Sequence, residues 1–290
     1  MMPLPNRWLS SVLIRHGRHL ILFDCGEGTQ ISLRALGWGI KDIGLILISH
    51  LHGDHIAGLP GLLLTQGNSG RTEPVVILGP PGLTEAVDRL RVIAPHLPFD
   101  VHCRDLAPDA RFELDGLQGR CAGGDHHVRC LAYRLDLPRG REFLPAKARA
   151  LGVPIEHWKQ LQQNQRVNLD GVVVEPDDVL GPPRRGLSIG LITDTRPSDT
   201  LAQLAHDIDL LVCEGTFGSD EDQPRAVERK HMTFAEAAGL AKQSGARQLL
   251  LTHFSPSMVR PSDFGDRARS IFQETIVGHD HLTLELNFPS

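Results

Sequence analysis

No C-x-x-C pair occurs in this 290-residue chain, and its five cysteines (Cys25, Cys103, Cys121, Cys130 and Cys213) are odd in number and scattered. That spacing excludes a zinc ribbon and a disulfide framework, and reads as the reduced, mostly buried thiols of a cytoplasmic protein. No apolar run approaches the length of a membrane span, and the opening MMPLPNRWLSSVLIRHG lacks the apolar stretch of a signal peptide. Net positive charge is missing too. The formal charge is −5, which argues against a general nucleic-acid binder, because phosphate partners demand a basic face. Neither an internal repeat nor a low-complexity tract is present. Tyrosine occurs once, whereas histidine occurs 15 times.

What is there is an ordinary globular composition, 41% hydrophobic and 22% charged, in a chain long enough for one large domain or two modest ones. Short apolar runs alternate with amphipathic segments. VLI (12–14), LILF (20–23), LILI (45–48), VVIL (75–78), LSIGLI (187–192), LLV (210–212), LLL (249–251) and LTLEL (282–286) read as strands. Residues 84–94, 199–206, 234–243 and 263–276 carry helical spacing. This alternation predicts a layered α/β architecture with helices outside a sheet core. Residues 137–185 break the rhythm, being polar, basic at the start and fenced by Pro and Gly. We read one domain over 1–290 with an inserted arm at 138–184. From Arg129 to Arg166 there are eight Lys/Arg against three Asp/Glu. A solvated surface is the commoner meaning of such a run.

The functional signal lies at the strand ends. LILF is followed by DCGEGTQ (24–30), LILIS by His50, His52, Asp54 and His55, and LSIGLI by TDTRP (193–197). LLV is followed by CEGTF (213–217) and LLL by THFSP (252–256), while GGDHHVRC (123–130) leads into LAYRL. If these strands lie side by side, their loops converge on one edge and gather His, Asp and Glu from distant parts of the chain. Any one of these residues alone would be a cap or a satisfied core group. Six together point to metal.

In H-x-H-x-D-H, His50 and His52 stand two apart and can grip one ion from the same side, leaving Asp54 and His55 for a second. A bridging carboxylate must then lie between the ions, and further histidines must close each shell. Imidazole and carboxylate without thiolate suit zinc, with manganese and iron as alternatives. Two such ions activate water and stabilise the attacking and leaving oxygens of a displacement, and their net positive charge suits an anionic substrate.

H-x-H-x-D-H after a strand is the signature of the metallo-β-lactamase fold superfamily, and within it the chain closely resembles the ribonuclease Z (short-form tRNase Z) family. The resemblance covers nearly the whole chain and rests on LFDCGEGTQ, SHLHGDHIAGLPGLL, the DHHVRCLAYRL block, TDTRP, CEGTF, HMTFAEAAGLAK and LTHFSPS. It implies an α/β fold, a four-layer αββα sandwich. It implies a zinc-dependent endoribonuclease that removes the 3′ trailer of precursor tRNA by phosphodiester hydrolysis, leaving a 3′ hydroxyl. Carried over position by position, it implies two zinc ions per subunit. His50, His52 and His126 would bind the first, Asp54, His55 and His253 the second, and Asp194 would bridge. Family spacing selects His126 over His127. Asp54 would also steer or deprotonate the attacking water. His231 with Glu214 would protonate the leaving 3′ oxygen, and Asp24 would brace the metal loop. In relatives the arm clamps tRNA, typically across a homodimer, which gives Arg139, Arg141, Lys147 and Arg149 an RNA-binding role.

The residues themselves add support for His231. TFAE (233–236) is a capping box that opens a helix, and a helix N-terminus favours an anion such as phosphate. GPPG (79–82) lacks the Lys-Ser/Thr of a phosphate loop and simply turns strand into helix. Three departures from the family pattern stand out. The first strand and Gly-rich loop of relatives are not seen before PLPNRWLSS; SPSMV (255–259) replaces a stretch with an Arg-Tyr pair; VPIEHW (153–158) lacks the Gly-Pro pair of the arm. A relative acting on small phosphodiesters or sulfate esters would share the metals without the tRNA role. A catalytically dead RNA-binding scaffold would typically have lost ligands, and here every ligand has a match.

Overall fold

The structure, a computed structural model, describes every residue except 1, 6, 115, 170 and 290. Among the described residues the strands form two large sheets and one isolated hairpin. The first sheet runs in chain order: β1 (Val12–His16), β2 (His19–Phe23), β3 (Ile43–Leu47), β4 (Val75–Gly79) and β5 (Val101–Asp105). β1 and β2 are antiparallel, and Gly17 at their two-residue turn takes a φ of 56°, which its missing Cβ permits. The remaining pairings are parallel. Strict alternation sorts the side chains of β2. Leu20 and Leu22 join a core with Leu33, Leu59, Leu62, Leu63, Leu83 and Val87 of the helices at 29–36, 59–68 and 83–90. Ile21 and Phe23, pointing the other way, are buried as well. A strand buried on both faces belongs to an inner layer.

The second sheet begins with β6 (Arg111–Leu114), β7 (Leu117–Gly124) and β8 (Cys130–Arg139). The hairpin β9 (Val167–Leu169) and β10 (Val172–Val174) intervenes before β11 (Arg184–Ile192), β12 (Leu210–Glu214), β13 (Gln248–Thr252) and β14 (Thr275–Val277). The order across this sheet is β14-β13-β12-β11-β8-β7-β6, antiparallel over β6–β8 and parallel over β11–β14. Ile192, Leu211, Cys213, Leu249 and Leu251 pack on the helices at 199–204, 234–244 and 265–271. Between the sheets, Phe23 meets Tyr133 edge-on with ring centroids 6.0 Å apart. The single tyrosine is fully buried there and donates its hydroxyl to the Ile48 carbonyl at 2.7 Å. The layers are therefore helix, sheet, sheet, helix, the four-layer αββα sandwich that the family resemblance implied.

Two expected elements need correction. LTLEL at 282–286 alternates like a strand yet forms none among the described residues, because it finds no pairing partner. The helix expected over 263–276 stops at Ile271; Thr275–Val277 instead extend the sheet as β14, with Thr275 opposite Leu249. The chain divides into two compact units, Met1–Asp136 with Ser188–Glu285 and Leu137–Leu187 with Leu286–Ser290. The second has its own small core of Ala148, Val153, Leu161, Val167, Val174, Val179 and Leu180. No helix among the described residues is long and apolar enough to cross a membrane.

Candidate metal centre

Register puts the polar strand ends side by side. Ile192 of β11 lies opposite Cys213 of β12, and Glu214 opposite Thr252 of β13, so Asp194, Glu214 and His253 share one sheet edge. In the first sheet Phe23 pairs with Leu47, which sets Asp24 beside the loop that starts at Ile48. That loop packs tightly on residues 24–26. The Cys25 N–H donates to the His55 carbonyl at 2.7 Å, and the Gly58 N–H to the Cys25 carbonyl at 2.8 Å. A Cβ on Gly58 would stand 2.1 Å from the Gly26 carbonyl oxygen, so only glycine permits this approach. Three residues that turn inward within two positions of the ends of β2, β11 and β13 all have left-handed backbones. Their φ values are 57° for Asp24, 38° for Asp194 and 57° for His253.

Three overlapping groups of metal-competent atoms result: His50, His52, His126 and Asp194; Asp54, His55 and His253; and Asp194, His231 and His253, which shares its first and last members with the other two. In the first, His50 Nε2 is 3.0 Å from His52 Nδ1 and 3.6 Å from Asp194 Oδ2, and His126 Nε2 is 3.4 Å from His52 Nδ1. In the second, His55 Nε2 is 3.2 Å from His253 Nε2 and 3.5 Å from Asp54 Oδ2. Asp194 faces both, its Oδ1 lying 3.0 Å from His253 Nε2 and 3.5 Å from His55 Nε2. Ligand atoms about 2.1 Å from a shared ion stand roughly 3–3.5 Å apart, so these separations fit cations at both groups. His126 lies in the cluster, whereas His127 is exposed.

The outward ring nitrogens show why four of the histidines offer Nε2 to the centre. Ser49 Oγ donates to Asp24 at 2.8 Å and stands 3.0 Å from His50 Nδ1, which donates to it. His55 Nδ1 donates to Asp24 at 2.7 Å, and His126 Nδ1 to the Lys230 carbonyl at 3.2 Å. Thr216 Oγ gives its proton to Glu214 at 2.5 Å and accepts from His253 Nδ1 at 3.1 Å. Each outer contact fixes a tautomer and leaves a bare nitrogen pointing inward, the arrangement metal-ligating histidines require.

Electrostatics agree with this donor set. Burial, reinforced by neighbouring histidines, lowers the His50 pKa to about 2, so its ring is neutral and able to ligate. Burial lowers the His52 and His126 pKa values in the same direction. Burial would raise Asp194, but His253, His55 and His50 hold it below the usual carboxylate range. For His55, burial is outweighed by Asp194 and Asp24, which raise its pKa; negative surroundings that hold a proton also favour a divalent cation.

Beside the cluster sits a second device. His231 Nδ1 is 3.2 Å from both carboxylate oxygens of the buried Glu214, and its ring stacks on His253 with centroids 5.7 Å apart. Burial alone would lower the His231 pKa, but the hydrogen bond and charge of Glu214 raise it. Glu214 is in turn fixed by the Thr195 N–H at 2.7 Å and the Met232 N–H at 3.1 Å. The helix that follows has the expected capping box, Thr233 with Glu236. Ser49, Thr216 and Arg196 also belong to this site; they lie inside the sequence motifs, where nothing in their spacing marks a role. Of the four cations named in the arm, Lys147 and Arg149 are exposed. Arg139 is engaged by the Phe288 ring and the Pro289 carbonyl, and Arg141 by Asp177 and the Gly181 carbonyl.

Residues 19–254 match the family model of the β-lactamase superfamily domain. The ribonuclease Z of Agathobacter rectalis is 44% identical over 289 residues, covering 99% of this chain and 95% of that protein. The ribonuclease Z of Lachnoclostridium phytofermentans is 43% identical with the same coverage. Among solved structures, human tRNase Z, short form, superposes with a TM-score of 0.72 at 25% identity, over 99% of this chain and 96% of that one.

Proposed function

The chain belongs to the ribonuclease Z family of the β-lactamase superfamily, and on that footing we propose that it cuts precursor tRNA on the 3′ side of the acceptor stem. It is a metal-dependent hydrolase, an endoribonuclease that hydrolyses one phosphodiester and leaves a 3′ hydroxyl on the tRNA. His50, His52 and His126 would hold one zinc ion and Asp54, His55 and His253 another, with Asp194 between them. Bound there, the ions would supply an acidified water and offset the charge that builds on the phosphate. Asp54 orients the attacking water and accepts its proton. His231 acts in the opposite sense. With Nδ1 on Glu214, its Nε2–H delivers a proton to the departing 3′ oxygen.

The observation that supports a nuclease over an esterase of activated substrates is this His231–Glu214 pair beside the ligand cluster. A ribose oxygen is a poor leaving group and needs a proton; an activated ester does not. Lys147 and Arg149 meet tRNA phosphates, and their contribution is salt-dependent because each neutralised phosphate releases counterions. The reading extends to a homodimer working in the cytoplasm, checked by sedimentation and fractionation.

The deciding assay offers metal-loaded protein a precursor tRNA and a nitrophenyl phosphodiester. Cleavage of the precursor to a 3′-hydroxyl product, abolished by a chelator and restored by zinc, is expected. Hydrolysis of the diester alone would assign the protein to small-molecule substrates.

A further inference from the structure

The proton donor sits on a turn that is held from several sides. Lys230 is left-handed, with φ 56°, and its ammonium bonds Asp125 at 2.6 Å. The His231 N–H bonds the Ala226 carbonyl at 2.9 Å, and the Met232 carbonyl accepts from the Phe217 N–H at 3.2 Å. The Thr233 N–H bonds Glu236 at 2.9 Å. The carbonyl of His231 itself accepts from Nη1 of Arg196. The same guanidinium forks onto both oxygens of Glu236, Nη1 at 3.0 Å to Oε2 and Nη2 to Oε1. Both side chains are largely shielded, at 16% and 19% exposed.

We propose that Arg196 is a positioning residue for the proton donor: by gripping the His231 carbonyl it holds the imidazole against Glu214. The chain connectivity makes this specific. Asp194, Thr195 and Arg196 are consecutive, and each serves a different part of the centre. Asp194 faces both ligand groups, the Thr195 N–H fixes Glu214, and Arg196 fixes the backbone of His231. One tripeptide thereby sets the distance between the metal ligands and both members of the acid pair. Glu236 completes the device by neutralising the guanidinium, so that a bare cation does not face the imidazolium. Lysine cannot substitute, because one ammonium lacks the planar fork that serves a carbonyl and a carboxylate together.

The inference rests on His231 being the donor, and the test separates the two. Metal-loaded Arg196→Ala, Arg196→Lys, Glu236→Gln, His231→Ala and the His231→Ala/Arg196→Ala double variant are assayed on precursor tRNA and on a nitrophenyl diester. Bound metal and melting temperature are measured alongside. Arg196→Ala should lower kcat on the RNA by roughly 10- to 100-fold with KM and bound metal unchanged, and slow the diester by less than roughly threefold, the scale of a small misplacement. Arg196→Lys should recover little. Glu236→Gln, which keeps the capping box and guards against a folding failure, should show the same selectivity more weakly. On the RNA, the double variant should be no slower than His231→Ala. Equal losses on both substrates, metal loss, or multiplying effects in the double variant would overturn the assignment. If His231→Ala itself slows both substrates equally, the donor reading fails instead.

Discussion

The two sheet edges that meet at the centre supply their residues in opposite ways. The first edge contributes His50, His52, Asp54 and His55 from one short segment, a loop running into the helical turn Gly53–Ile56, braced by a single carboxylate, Asp24, through Ser49 and His55. The second contributes His126, Asp194, Glu214, His231 and His253 from five separate stretches of chain, each stitched to a neighbour by its own contact. The compact edge is a ligand cassette whose geometry is mostly local. The dispersed edge exists only once the sheet has formed, and it alone combines candidate ligands with the proposed proton donor. Local edges tolerate change in distant parts of the fold; dispersed edges report it.

If the dispersed edge holds the centre together, its most shared residue should dominate. Asp194→Ala should lower metal content at both groups and RNA cleavage by roughly 10⁴-fold or more, the scale of losing residues that act as a unit. Two ions retained by elemental analysis would break the comparison. His231→Ala should keep the metals and slow RNA cleavage by roughly 10²–10⁴-fold, with a smaller loss on a nitrophenyl diester. Within the compact edge, Asp24→Asn should weaken metal affinity by roughly 10- to 100-fold, read by chelator competition, because the His55 tautomer loses its acceptor. The smallest effect sharpens the comparison within the acid pair. Glu214 raises the His231 pKa, so Glu214→Gln should lower it. The protonated donor is then lost earlier as pH rises, and the basic limb of the pH–rate profile for RNA should move to lower pH. A limb that stays put would remove Glu214 from that role.

Legibility followed the same division. H-x-H-x-D-H is visible because its spacing is local, and the strands preceding it are visible because inner strands are apolar throughout. The partners of the dispersed edge were legible only as polar endings of separate strands. β5 and β6 carry no apolar run in the sequence, because exposed polar residues such as His102, Arg104 and Glu113 interrupt them. LTLEL misled for the converse reason, since alternation describes a face and pairing needs a neighbour. Ser49, Thr216 and Arg196 were hidden in plain view. A hydroxyl or guanidinium in a loop has many uses, and only the fold shows which carbonyl, carboxylate or ring nitrogen lies within reach.

The left-handed backbones at Asp24, Asp194 and His253 bear on how the protein trades durability against competence. A side chain in that region costs about 1–2 kcal/mol, a penalty glycine escapes. At His253, drift toward a sturdier metal-free fold would therefore favour glycine and remove a candidate ligand, whereas at Asp24 the three hydrogen bonds its carboxylate accepts from Ser49 and His55 outweigh the penalty. In metal-free protein, His253→Gly should melt above His253→Ala, since alanine keeps the strained backbone and glycine relaxes it. The centre is thus a place where the chain resists its own stabilisation, and a screen for heat resistance alone would select against the site.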